Sequence, residues 1–548
     1  MRLLSPDVSQ VARDLGVHPL VALLLHRRGY SSLESMAQFL NPCLEDLPSP
    51  WHLKDLDRAV ALLSSLERGD SVLVYGDHDL DGVVSAVVLS LLLKEMGFRV
   101  RYYVPPRRRF SHGIRPEVVE LAASRGFRAM VVADCGSGEG ALVRRARELG
   151  LRVLVLDHHS FTEEDEVSAD VYLNPMRGPS GFEGLCSAGL CWLLRSAVKG
   201  RFDEETMDLA ALATLADVVP LLGANRVIAK LGMRRLCARP SMARLLQRLG
   251  IREPSWKDVS FRVVPRLNAC AKLGDASDLV RFMLEGGSSS SERERLIDEF
   301  ERLNLYRREQ VERALGSLER ALGEGGGVLV LREDLEPALA GSLAARVCQA
   351  AGAPVVVLAP AGGGLLRGSI RIPERSPLTC HQMKERLGDL CLKFGGHAKA
   401  GGFTVREEDL EELRTRLSDL GDLIPLDRSQ EVAPEHEAVW SPFFVDRSLA
   451  SALEEMAPFG VGNPRPVLLG KGLTLREVSR RGGCSALYFS GSAYNSTERK
   501  EVELWCYGDC RRLKLPPGGG PCDVLYSVGM ERGSVRLEAL RVVESGRR

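Results

Sequence analysis

One stretch limits the folds open to this chain more than any other: Val72-Leu73-Val74-Tyr75-Gly76-Asp77-His78-Asp79-Leu80-Asp81-Gly82, an apolar run that ends in three carboxylates at alternate positions and then glycine. The run has the character of a buried strand, and residues 83–94 after it have the length and apolar character of a buried helix. The acids therefore sit on a strand-to-helix turn, where open α/β sheets bind ligands. Carboxylates this close repel one another unless a cation neutralises them, and hard divalent ions such as Mg²⁺ or Mn²⁺ prefer oxygen ligands. Asp and Gly are also ordinary turn residues. The metal reading therefore depends on further ligands at other strand ends.

Such ligands are present. From residue 70 to about 175 the pattern alternates, with strands predicted at 71–75, 99–104, 129–133, 152–156 and 171–173 and helices at 83–96, 116–125 and 139–149. That alternation predicts an α/β fold with a doubly wound parallel sheet, whose sites lie at the carboxyl ends of the strands. The third strand runs into Asp134-Cys135-Gly136-Ser137 and the fourth into Asp157-His158-His159-Ser160, while Asp217 closes an apolar helix predicted over 209–216. Six carboxylates and two imidazoles in one crevice, left unneutralised, would cost several kcal/mol. A mixed Asp/His set suits Mn²⁺ or Mg²⁺. The count allows two ions sharing one bridging carboxylate, a device for activating water against a phosphorus ester.

At 548 residues the chain has room for three or four domains. Residues 1–65 read as a helical lead-in, 66–282 as the catalytic α/β domain and 283–326 as a connector dominated by one long amphipathic helix. Residues 327–425 read as a second, smaller α/β module and 426–548 as a five-stranded barrel of OB type. In the second module Arg367, Ser369 and Arg371 alternate along a predicted strand and so share one face. The Gly-rich Phe394-Gly395-Gly396-His397 allows close backbone approach, and its N–H groups suit a phosphate. Trp505, Tyr488 and Phe489 are the barrel's candidates for stacking on bases.

Lys+Arg and Asp+Glu both number 73, so overall charge does not argue for a nucleic-acid partner. A local run does: Arg99, Arg101, Arg107, Arg108, Arg109 and Arg115 have no acid between them, a concentration able to track a phosphate backbone. Thirteen cysteines without a repeated Cys-x-x-Cys argue against a zinc module and for reduced, mostly buried thiols. No signal-like start or membrane-length apolar run is apparent, and a cytoplasmic protein with no membrane partner is expected.

Asp77-His78-Asp79-Leu80-Asp81-Gly82, Asp134-Cys135-Gly136, Asp157-His158-His159 and Ala216-Asp217-Val218-Val219-Pro220 resemble, in order and spacing, the four motifs of the DHH phosphoesterase superfamily. Pro265-Arg266-Leu267-Asn268-Ala269, Arg367-Gly368-Ser369-Ile370-Arg371, Phe394-Gly395-Gly396-His397 and Pro458-Phe459-Gly460-Val461-Gly462-Asn463-Pro464 extend the likeness to the single-strand-specific exonucleases of that superfamily, over nearly the whole chain. The resemblance implies a 5′-to-3′ exonuclease of single-stranded DNA in repair and recombination, using two Mn²⁺ or Mg²⁺ ions. Asp77, Asp79, Asp134, His158 and Asp217 would be the core ligands, with Asp134 the bridge. Asp81 would complete the set or hold the loop, Asp157 would orient its neighbours, and His159 would face the scissile phosphate. His397 would hold the adjoining phosphate, and Arg266, Asn268, Arg367, Ser369, Arg371, Gly395 and Gly396 would contact substrate.

The implied partner is single-stranded DNA, with a single-strand-binding protein and a helicase as further partners of a monomer. Two rival readings are a DHH phosphodiesterase for short oligonucleotides or cyclic dinucleotides, and an inactive DNA-binding relative of replication scaffolds. His78, His112-Gly113-Ile114 and Cys270-Ala271-Lys272 depart from the family pattern, which bears on DNA contacts and rate more than on the metal ligands.

Overall fold

The structure is a computed structural model that describes residues 6–107, 112–161, 167–284, 289–318, 328–373, 376–420, 436–481, 484–492, 499–507, 513, 515, 520–531 and 533–544. Its contacts divide the chain into two compact units, one of residues 47–219 and 223–426 and the other of residues 1–46, 220–222 and 427–548. Residues 6–46 thus group with the C-terminal segment, whereas chain order alone had set 1–65 apart.

The larger unit begins with five parallel strands, β1 (Ser71–Gly76), β2 (Arg99–Tyr103), β3 (Ala129–Ala133), β4 (Arg152–Leu156) and β5 (Val171–Leu173), in the order β2-β1-β3-β4-β5. β1 and β3 are buried along nearly their whole length, as strands covered on both faces must be. The helix Leu80–Glu95 is apolar all round and correspondingly buried, which makes it a core element rather than a surface one. Strand order reverses at β1. The crevice for a ligand therefore opens at the carboxyl ends of β1 and β3.

The 29-residue helix Ser290–Leu318 spans about 43 Å at 1.5 Å per residue. Leu296, Ile297, Phe300, Leu303, Val311 and Ala314 form its buried stripe. A second sheet follows, β6 (Leu329–Arg332), β7 (Val355–Gly362), β8 (Leu365–Arg371), β9 (Lys393–His397) and β10 (Ala400–Arg406), in the order β6-β7-β8-β10-β9. The glycine-rich stretch at 394–397, which carried no strand prediction, is an edge strand paired with β10. Pairing engages only the N–H groups that face β10, and Gly396, at φ 144, takes a conformation that suits glycine.

In the smaller unit, β11 (Ala438–Val439), β12 (Leu468–Arg481), β13 (Cys484–Ser492), β14 (Arg499–Tyr507), β15 (Pro521–Glu531) and β16 (Ser534–Glu544) form one sheet, and β12 also pairs with β15. That extra pairing closes five strands into the OB-like barrel. Helices Pro19–Arg27 and Leu33–Leu40 belong to this unit, and Arg28 joins them to it: its guanidinium takes both Glu437 oxygens and Asn463 Oδ1. Phe489 is fully buried and so packs the barrel core rather than stacking on bases, whereas Trp505 lies 4.3 Å beneath the Arg536 guanidinium.

Among the described residues no single helix is long and apolar enough to cross a membrane. Most described cysteines carry free thiols, but Cys506 is disulfide-bonded, which corrects the expectation of uniformly reduced thiols.

Candidate metal centre

β1 ends at Gly76, where any side chain would collide with the Gly82 carbonyl, and a Cβ on Gly82 would lie 2.5 Å from the Asp77 amide nitrogen. Glycine at both positions is what lets the acidic turn fold back on itself. Asp79 then caps the helix Leu80–Glu95, accepting the amides of Asp81 and Gly82 at 3.0 and 3.1 Å. Asp81 accepts the amides of Ser187 and Ala188, both at 2.8 Å, at the start of the helix Ser187–Lys199. The positive end of that helix dipole suits a carboxylate.

β3 delivers Asp134 in the left-handed region (φ 63), which an Asp tolerates. Asp217 closes the carboxyl end of the helix Met207–Ala216, where the dipole disfavours negative charge, and Val218 follows it at φ 59, an outlier for a β-branched residue. Local preferences broken twice in succession mark a position shaped for function. His158 Nε2 lies between these acids, 3.5 Å from Asp134, 3.6 Å from Asp217 and 3.8 Å from Asp81.

The ligating atoms fall into groups whose members lie within 4.8 Å of one another: Asp77, Asp79 and Asp134; Asp81, His158 and Asp217; and Asp134, His158 and His159. Each could hold a divalent ion, and Asp134 belongs to two of them. Asp77 Oδ1 is buried without a hydrogen-bond donor, as a carboxylate oxygen meant for a cation would be. Burial, then Asp79, Asp81, Asp77 and Asp217, push the Asp134 carboxyl well above its usual range. Burial and the charges of Asp81 and Asp79 push Asp217 up to about 9. Carboxyls driven up in this way by one another call for a cation, and the oxygen-rich donor set fits Mn²⁺ or Mg²⁺.

Asp157 plays a different part. Its oxygens accept the amides of Ser137 at 2.9 Å and His158 at 2.8 Å, and Oδ1 lies 2.7 Å from His159 Nδ1. These bonds hold Asp157 far below the carboxylate range despite its burial. They also raise the His159 imidazole, against the opposing effect of burial.

Two further histidines complete the crevice, and neither stood among the expected site residues. His112 Nδ1 lies 2.8 Å from Asp77 Oδ2, with its ring 4.8 Å from that of His159. His78 Nδ1 lies 3.0 Å from Asp77 Oδ1 without forming an aligned hydrogen bond, and its Nε2 meets the Arg107 guanidinium. Burial opposes ionisation of Asp77, but His78 and His112 outweigh it and hold that carboxyl well below its ordinary value.

Beside the acids lies a cavity of about 190 Å³ lined by Asn268, Lys272, Arg307 and Ser342 among others. Burial brings Lys272 down to about 8; the charge of Asp79 opposes this, and Arg107, Arg371 and Arg307 add to it. Three guanidinium charges acting on Lys272 make this a place that suits an anion. On β8, Arg367, Ser369 and Arg371 share the half-buried face, and a Cβ on Gly341 would lie 3.3 Å from Ser369 Oγ. Arg266 acts electrostatically on Arg307, while its guanidinium also donates to Glu301 and the Arg262 carbonyl. Lys272, noted in the sequence only as a departure, was legible as i+4 from Asn268 on one helix face. The side chain of His397 and residues Arg108 and Arg109 lie outside the described residues.

Residues 71–214 match the DHH family, N-terminal domain, and residues 325–420 the DHHA1 domain. A protein of Salmonella typhimurium, named single-stranded-DNA-specific exonuclease RecJ, is 31% identical over 511 residues, covering 86% of this chain and 86% of that protein. The protein of the same name from Bacillus subtilis is 29% identical over 87% of this chain, which spans only 61% of that longer relative. The crystal structure of RecJ from Thermus thermophilus in complex with Mn²⁺ superposes with a TM-score of 0.79 at 26% identity, covering 99% of this chain and 79% of that one. A Mg²⁺ complex of the same protein gives 0.74 at 25% identity, covering 99% of this chain and 78% of that one.

Proposed function

The chain belongs to the RecJ family of single-stranded-DNA-specific exonucleases, and from that premise we propose that it is a metal-dependent exonuclease that removes nucleotides from the 5′ end of single-stranded DNA in repair and recombination. The observation that carries this reading is the pair of donor groups Asp77/Asp79/Asp134 and Asp81/His158/Asp217, linked by the 3.5 Å approach of Asp134 to His158. Each group would hold one Mn²⁺ or Mg²⁺ ion. Bound there, the ions neutralise phosphodiester charge and activate water.

The protein's own groups do the rest. His159, oriented by Asp157, donates to the phosphoryl oxygen on which charge develops. Lys272, Asn268, Arg367, Ser369 and Arg371 grip the neighbouring phosphate, with His397 and the Gly395-Gly396 edge beside it. On the same reading the protein works in the cytoplasm as a monomer, supplied with single strands by a single-strand-binding protein and a helicase.

The test uses strands labelled at either end, a duplex, a dinucleotide and a cyclic dinucleotide, incubated with Mn²⁺ and the parent or Asp134→Ala protein. Progressive loss of label from the 5′ end by the parent alone is expected. Digestion confined to dinucleotides or cyclic dinucleotides would assign the chain to the small-substrate phosphodiesterases, and binding without turnover would make it a scaffold.

A further inference from the structure

We propose that His112 is a positioning residue through which the second sheet sets the carboxylate of Asp77. The inference rests on the metal reading above and concerns this chain's own groups. His112 meets Asp77 Oδ2 through Nδ1 at 2.8 Å, and its backbone carbonyl accepts the ammonium of Lys393 at 3.0 Å. Lys393 stands on β9, the edge strand of the second sheet. From the other side the Tyr75 hydroxyl on β1 donates to the Gly113 carbonyl at 2.9 Å. Gly113 itself lies close under Glu139, whose carboxylate accepts the Gly136 amide at 2.9 Å, two residues past Asp134.

The segment carrying His112 is therefore pinned to β1, to the turn after β3 and to β9. Of these three anchors, only Lys393 comes from the second sheet. A ligand carboxylate binds an ion best when its remaining oxygen is hydrogen-bonded and its rotamer fixed. Here the bond that fixes Asp77 depends on a backbone segment held by a lysine 281 positions away, so the seating of the second sheet bears on the affinity of the first ion.

The test is a titration of the metal-free full chain with Mn²⁺, the free ion being read by electron paramagnetic resonance in the absence of DNA. His112→Ala should weaken one of the bound ions by about 10- to 100-fold. His112→Asn, whose amide nitrogen can stand in for Nδ1, should stay within about threefold of the parent, well short of that loss. Lys393→Met should weaken the same ion by about 3- to 10-fold, the size of one hydrogen bond, and should add nothing in the His112→Ala background. Unchanged affinity in His112→Ala, equal losses in the Ala and Asn variants, or independent addition of the His112 and Lys393 effects would each overturn the proposal. Because no DNA is present, a protein that binds Mn²⁺ as described yet degrades no strand would count against the nuclease reading alone.

Discussion

The backbone amide of Ser187 donates to Asp81 Oδ2 at 2.8 Å, although 106 positions separate the two residues. Asp81 thus ties the acidic turn to the start of a distant helix while also standing beside His158 and Asp217. Among the described residues no backbone amide donates to the Asp217 carboxylate in this way. Asp81→Ala and Asp217→Ala should therefore both lose Mn²⁺ at the His158 group but differ in stability. Asp81→Ala leaves two buried amides unpaired, at about 1–3 kcal/mol each. Asp217→Ala removes a carboxyl whose ionisation burial and its neighbours disfavour, and the metal-free protein should be as stable as the parent or more so. Denaturant unfolding in EDTA reads the difference, and equal destabilisation would contradict these separate roles.

Stability without metal should fall as the solution becomes alkaline. Asp217 titrates near 9 in the folded protein against an ordinary 3.8, so between those values the native state holds a proton that the unfolded chain has lost. His112 acts in the same direction. Burial lowers it, Asp77 overrides burial and raises it to about 9, and its contribution is complete below 6.5 and lost through about 9. Melting temperature in EDTA should drop from about pH 6 to about pH 9. Mn²⁺ should flatten the curve and release protons into weak buffer near neutrality. A profile that rises with pH would mean that other groups dominate.

Arg371 should matter most for strands with a phosphate to offer. Arg371→Ala should weaken binding of single strands and lower the slope of log affinity against log salt by about 0.7, the share of one phosphate contact. Fluorescence anisotropy across a salt series, in Ca²⁺ to prevent digestion, measures it. An unchanged slope would place Arg371 outside the phosphate grip.

Gly232 sits where the helix Gly223–Met233 crosses Met207–Ala216, the helix that ends in Asp217. A Cβ there would collide with the Met207 carbonyl and lie 2.6 Å from the Ala211 Cβ. Gly232→Ala should cost about 1–3 kcal/mol by overpacking and weaken Mn²⁺ binding by displacing Asp217. Calorimetry on the variant checks both, and a stable variant with full affinity would show that the helices can part without moving the ligand.

The strands of the catalytic sheet were legible to within a residue because each is a short, branched apolar run ended by turn residues: β3, β4 and β5 match residues 129–133, 152–156 and 171–173. The motif acids were legible for the same reason, since parallel strands of alternating units must all end at one edge. β9 was not, because glycine carries no strand signal and its pairing with β10 is supplied from elsewhere in the chain. The pairing of Arg266 with Glu301 was not legible, because a motif states a residue type and not its partner.

The sequence by itself therefore determined the sheet, its ligand edge and the inventory of acids, all of which follow from local periodicity and turn chemistry. Only the tertiary structure decided how Asp81 is held by Ser187, how His78 and His112 flank Asp77, how Lys272 joins the cations, and that Arg28 reaches Glu437 409 positions away. Each of those contacts joins segments that the spacing of residues along the chain does not relate, and their geometry exists only once the packed core has fixed the elements that carry them.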